Sequence, residues 1–331
     1  MTSVTSYFSV KRKPAPTPVP TPTPVPTSAP GLPSCTAAGD RPWNLASPFN
    51  TVLPSNAVLD PNSASIAGYL SGGTRQQIAS MYDYGWPVFN ADAATPRVTV
   101  TTTMPWGTNP FAGVAVPRPA SAAPNPGSDG HAAVIDWTTG RVYEFWQLKK
   151  VDATHWTASW GQITPNVLTG LGNERLGVGS SKGSGLSGLA GLIRTREMRA
   201  GLIDHALNFA SDAVTPTAYR FPATKTDGSN GAGVPLSMTI PECARIRLDP
   251  TINLDSIPGI TRAQLIIGKA LQKYGAFCAD QGGARVSVEF ENRVGDPAGD
   301  PYPGAEPAWD YYHMSHIPWN KLQVLRQWDG R

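Results

Sequence analysis

Residues Ser128–Lys149 read SDGHAAVIDWTTGRVYEFWQLK, and this stretch decides the fold class. Two apolar runs flank Thr138-Thr139-Gly140. In strand spacing, His131, Ala133, Ile135 and Trp137 share one face of the first run. Val142, Glu144, Trp146 and Leu148 share one face of the second. Alternation rich in aromatic and β-branched residues, broken by a short glycine-containing turn, is the pattern of a β-hairpin. The polar cluster Ser128-Asp129-Gly130-His131 stands at the mouth of the hairpin, where strands give way to function-bearing loops.

Outward from the hairpin the pattern predicts more strands. They cover Tyr82–Asn90 (YDYGWPVFN), Arg97–Thr103 (RVTVTTT), Thr154–Gln162, Gly201–Ala210 with His205, Leu207 and Phe209 on one face, Tyr219–Thr224 and Ala244–Pro250. Arg285–Glu291 (RVSVEFE) alternates cleanly and directs Val286, Val288 and Phe290 inward. A short helix through Ile66 and Leu70 would be capped by Asp60 or Ser63, and one helical turn is expected over Ile193–Ala200. Thr261–Tyr274 carries the strongest helical signal: Thr261 as cap, a stripe of Ile267, Ala270, Leu271 and Tyr274, and Gly275 as terminator. Gly170–Gly191 is glycine-rich and reads as a mobile loop leading into a buried turn. No fixed-period repeat is present. The sum predicts an all-β, jelly-roll-like β-sandwich over residues 35–331 with one helix packed outside.

Composition narrows the function classes. The chain has 331 residues, of which 15% are charged, with a net charge of +3. That balance offers no basic field for nucleic acid. There are 33 glycines, 33 prolines and ten tryptophans, a loop-rich β composition. Three cysteines, Cys35, Cys243 and Cys278, cannot all pair within one chain, and free thiols are expected in preference to a Cys243–Cys278 bridge. No Cys/His spacing suggests zinc, no phosphate-loop or GxSxG motif occurs, and neither cofactor nor metal is expected.

The N-terminal region differs from the rest. Residues 1–13 end in the basic Lys11-Arg12-Lys13 and are expected to anchor the chain on a larger assembly. Residues 14–34 hold nine prolines between Pro14 and Pro33. Each fixes its own φ and restricts its neighbour. The expected result is an extended polyproline II tether of ~3.1 Å per residue, roughly 60 Å long. The first residues lack the basic-then-apolar order of a signal peptide, and no run of ~18 apolar residues would span a membrane. A virion component is the expectation, an extracellular protein the alternative.

Several motifs together resemble a known family. PWNLASPFNT, LDPNSASI, SDGHAAVID, YEFWQ, GLAGLIRTREMRAGLIDHALNFA, ARIRLDP, ALQKYGAFCADQGG and WDYYHMSHIPW follow one another through residues 42–328. In that order they resemble a family of bacterial β-sandwich proteins, frequent in actinobacteria and present in tail proteins of their phages. The resemblance implies a β-sandwich and, with the tether, a minor tail protein. It implies no particular reaction.

Candidate chemistry falls in the same motifs. His131, His205 and Asp280 are the candidate catalytic residues, His and Asp being suited to acid–base work on a polysaccharide. Asp129, Trp146, Trp309, Asp310 and His313 are the candidate glycan-binding residues. Glycoside hydrolysis needs two carboxylates, and Asp129, Asp280 and Asp310 could supply a pair. Against these roles stand turn formation by Asp129 and Asp280, and a core position for His205 beside Leu207 and Phe209. The expected function is a phage minor tail or tail-tip protein that binds host-surface glycan. The alternative is a hydrolase or lyase of cell-envelope glycan. The expected partners are other tail proteins, through residues 1–34, and the glycan itself; a homo-oligomer is left open.

Overall fold

The computed structural model describes residues 41–302 and 309–327. The anchoring peptide and proline tether expected within residues 1–34 lie outside the described residues. What is described is mostly β structure in several sheets with few helices.

The hairpin forms as its pattern dictates. Ala132–Asp136 pairs antiparallel with Arg141–Trp146, Asp136 opposite Arg141 across the Thr138–Gly140 turn. Both strands are buried on both faces. Ala133, Ile135 and Val142 enter one core, and Ala132, Val134, Tyr143 and Phe145 enter another. These strands belong to a five-stranded sheet that also holds Trp86–Ala91, Trp160–Thr164 and Glu291–Asn292.

On one side of this sheet lies a four-stranded sheet containing Arg97–Thr102 and His155–Ala158. Val98, Val100, Trp156 and Ala158 pack there against Phe89, Val134 and Phe145. On the other side lies a seven-stranded sheet. Its order is Tyr312–His313, Gln77–Ser80, Val286–Glu289, Leu207–Ser211, Ala276–Gln281, Arg245–Leu248 and Leu322–Val324. Pairing is mixed: Gln77–Ser80 runs parallel to Val286–Glu289, and Leu207–Ser211 parallel to Ala276–Gln281.

The outer face of the seven-stranded sheet is covered by helix Arg262–Lys273, whose Ile267, Ala270 and Leu271 pack on Ile246, Leu207 and their neighbours. Thr261 caps this helix as expected, its hydroxyl accepting from Gln264 N. At Gly275, φ is +72° and a Cβ would lie 2.3 Å from the Ile246 carbonyl, so only glycine turns the chain there. Two further helices, Ser63–Ser71 and Thr195–Ala200, accompany it.

Several expectations are corrected. Neither Asp60 nor Ser63 caps the first helix, because Asp60 accepts from Asn62 N before the helix begins and the Ser63 hydroxyl accepts from Val324 N. The strand expected over Tyr219–Thr224 lies earlier, at Val214–Tyr219, because the chain turns directly after it, Ala223 N–H donating to the Arg220 carbonyl at 2.8 Å. The strand expected over Gly201–Ala210 starts only at Leu207, which leaves His205 in the preceding loop. Leu148 leaves the face of Val142 and Glu144: Gln147 has φ +55°, and the kink sends Leu148 into the core of Phe145. Ser181–Ile193, the end of the glycine-rich stretch, is buried throughout. Its glycines let backbone enter the core; a Cβ on Gly188 would lie 2.4 Å from the Trp86 ring.

Candidate functional site

The inner face of the seven-stranded sheet is set by alternation. Val286, Val288 and Phe290 face the helix side, so Ser287 and Glu289 face the other way. On Leu207–Ser211 the same rule sends Leu207 and Phe209 to the helices and Ala210 inward. Asp280 reaches this inner face through an irregularity. Phe209 pairs with Cys278 but Ala210 pairs with Asp280, so Ala279 is skipped and the carboxylate is re-aimed.

A cleft of about 790 Å³ opens over this face, walled by Asp129 and His131 and lined at one end by Tyr84, Trp86, Trp309 and Tyr311. A second hollow of about 520 Å³ adjoins it, sharing Asp129, His131, Asp280 and Gln281. Trp106, Trp146 and Trp160 line that end. Trp106 stacks on Trp146 with centroids 5.5 Å apart and meets Trp160 edge-on at 5.8 Å. Flat aromatic surfaces therefore stand at both ends, with a group of charged residues between them.

Lys182 and Glu289 form a buried ion pair at the centre. Burial works against the ammonium, but Glu289 and Asp280 outweigh it and hold its pKa above the ordinary lysine value. Burial raises Asp280 to about 7; Lys182 opposes this, while Asp227 and Glu289 add to it. Asp280 Oδ1 accepts from the backbone N–H of Gly183 at 3.1 Å and of Gln281 at 3.0 Å. The loop bearing Lys182 is fixed from behind by Glu144. Its carboxylate accepts from the Ser187 hydroxyl at 2.7 Å and the Thr164 hydroxyl at 2.9 Å, and burial raises its pKa.

His131 is buried against Trp86, ring on ring. Its Nδ1–H donates to the Phe145 carbonyl at 3.2 Å, leaving Nε2 toward Asp129 at 3.9 Å. Burial, reinforced by Lys182, lowers its pKa to about 3. The imidazole is neutral at ordinary pH, so its contact with Asp129 is not an ion pair.

Beneath the cleft, Asp227, Glu242 and Asp280 converge, with one carboxylate oxygen of each within 4.8 Å of the others. Glu242 is fully buried on strand Ile240–Glu242, and neither of its oxygens has a hydrogen-bond partner. Burial pushes it up to about 9 with help from Asp227 and Asp280; the Thr226 side chain favours its charged form without meeting hydrogen-bond geometry.

Of the residues expected from sequence, the cleft brings together Asp129, His131, Asp280, Trp146, Trp309 and Asp310. Asp310 serves structure there: its oxygens accept from the N–H groups of Met81, Asp83 and Tyr311. His205 is elsewhere, buried against Glu197 with Nε2 3.1 Å from Oε2. His313 sits on the edge strand with Nδ1 3.2 Å from the Gln77 carbonyl, and does not line the cleft. Lys182, Glu289, Asp227 and Glu242 were not anticipated. The alternation of RVSVEFE carried the signal for Glu289, since inward valines place Ser287 and Glu289 on the opposite face. Cys243 and Cys278 are free and buried. Among the described residues, no helix is long and apolar enough to cross a membrane.

Comparison of the chain with protein-family models, curated proteins and solved structures finds no match.

Proposed function

We propose that the chain binds a glycan along this cleft. The observation that supports it is the pair of exposed aromatic ends, Trp309 and Tyr311 at one and Trp106, stacked on Trp146, at the other. A pyranose presents an apolar C–H face that stacks on such rings, while its hydroxyls need polar partners, which Asp129, Gln281 and Asp280 offer between the platforms. In this proposal the layered sheets are a jelly-roll-like sandwich that departs from antiparallel pairing at strands such as Gln77–Ser80. Residues 1–34 tether it to a phage tail, and the glycan belongs to the actinobacterial cell envelope. Retention of the purified chain on that polysaccharide is the test. Retention lost on adding soluble polysaccharide is expected; passage through the column unretarded would reject binding.

A second reading, cleavage of the bound glycan, is favoured by the unequal surroundings of two carboxylates on one sheet face. Asp280 is raised to about 7 and suited to donate a proton, while Glu289 lies against the Lys182 ammonium. New reducing ends on incubation, lost in Asp280→Asn, would support it; intact polysaccharide would reject it.

A further inference from the structure

We propose that Asp227, Glu242 and Asp280 form a site for a hard divalent cation of the calcium type, through which the glycan is held. The proposal rests on the cleft being a glycan site and names what its floor contributes.

The three carboxylates come from three separate parts of the chain: the loop after Phe221, the strand Ile240–Glu242 and the bulge on Ala276–Gln281. Their nearest oxygens all lie within 4.8 Å of one another. Calcium takes oxygen ligands at about 2.3–2.6 Å, so oxygens on opposite sides of one ion stand roughly 5 Å apart. The spacing is therefore of the size that one ion needs.

Glu242 supplies the independent observation. Its side chain is wholly buried, both carboxylate oxygens lack a hydrogen-bond partner, and it points at Asp227 and Asp280. An orphaned buried carboxylate is costly unless something satisfies it. A cation supplies both charge and ligation.

The surrounding charges favour a cation. The carboxylates of Asp227, Glu242, Asp280, Glu289 and Glu144 outnumber the ammonium groups of Lys182 and Lys225 that face them. Backbone has been cleared for the cluster as well: a Cβ on Gly183 would lie 2.2 Å from Asp227 Oδ1, while Gly183 N–H fixes Asp280.

Asp227 is exposed and, with Asp280, lines the Trp-rich hollow, so the open side of the ion faces the cleft. Calcium takes six to eight oxygens, about three or more beyond these carboxylates. Vicinal hydroxyls or a uronate carboxylate of the glycan would complete the shell. Asp280 cannot hold the ion and also donate a proton, so an occupied site argues against the cleavage reading.

The test uses the full chain freed of metal with a chelator. Calcium chloride is titrated calorimetrically, and Tb³⁺ luminescence excited through the tryptophans gives a second readout. One saturable site per chain is expected, weakened at least about tenfold in Glu242→Gln. Gly183→Ala, which crowds Asp227 while keeping every carboxylate, should weaken it too. No saturable binding up to about 10 mM calcium, or binding unchanged in Glu242→Gln, would overturn the site. Retention on the polysaccharide is then measured with calcium and with chelator. Loss in chelator supports the glycan contact; equal retention in both overturns it while leaving glycan binding intact. Calcium binding without any retention would instead reject the glycan cleft and keep the ion site.

Discussion

The indole of Trp86 and the imidazole of His131 are stacked, with centroids 4.1 Å apart and planes 18° from parallel. The Lys182 ammonium lies 5.3 Å from the same indole. Trp86 thus joins the hairpin, which supplies His131, to the glycine-rich loop, which supplies Lys182. The cleft's wall and its charged centre are held in one packing unit.

His131 makes the chain sensitive to acid. Its native pKa of about 3 lies below the ordinary 6.5, so the unfolded chain binds the extra proton first. Its contribution to stability is full above about pH 6.5 and is lost as pH falls toward 3. Urea midpoints at about pH 7 and pH 4.5 should fall further in the parent chain than in His131→Gln. Equal falls would show that His131 titrates normally.

The His205–Glu197 pair works in the opposite direction above neutrality. Burial opposes the His205 charge, but Glu197 outweighs it and raises the pKa; Glu197 is lowered despite burial, chiefly by His205. His205 therefore stabilises fully below about pH 6.5 and less as pH rises through its native pKa, while Glu197 loses its contribution as pH falls below about 4.5. The midpoint difference between the parent chain and His205→Gln should be largest near pH 5.5, between those limits. A difference that does not change with pH would contradict the pairing.

Gly188 has no room for a side chain, because its Cβ would meet the rigid Trp86 ring at 2.4 Å. Gly188→Ala should cost roughly 1–3 kcal/mol by thermal or urea unfolding. An unchanged midpoint would mean that the loop does not pack under the indole.

Lys182 and Glu289 are both buried, so removing one leaves the other uncompensated. Lys182→Met should destabilise the chain by about 3–5 kcal/mol, and Lys182→Met with Glu289→Leu by less. A double variant weaker than the single would contradict the pairing.

Local patterns made much of this fold legible. The hairpin, the helix capped by Thr261 and the strand containing Val286 and Val288 all follow from periods and caps within single segments. What stayed hidden depends on distance along the chain. No local signal pairs Gln77–Ser80 with Val286–Glu289 in parallel, because the ladder joins backbones some 200 residues apart. The bulge that turns Asp280 inward is a property of two strands, visible only in their register. Lys182 sits in a stretch whose glycines suggest mobility, although those glycines are what let it be buried. His205 shows the converse: its residue type suggests chemistry, its place beside Leu207 and Phe209 a core position, and it is buried against Glu197.

The most direct measurement of the glycan cleft is the affinity of the chain for actinobacterial envelope polysaccharide before and after Trp106→Ala. Trp106 is 59% exposed, so its loss should leave the unfolding midpoint unchanged. One lost stacking platform, worth about 1 kcal/mol, should weaken binding about five- to tenfold. Equal affinity in the variant, or no binding by the parent chain, would contradict a glycan lying across the tryptophans.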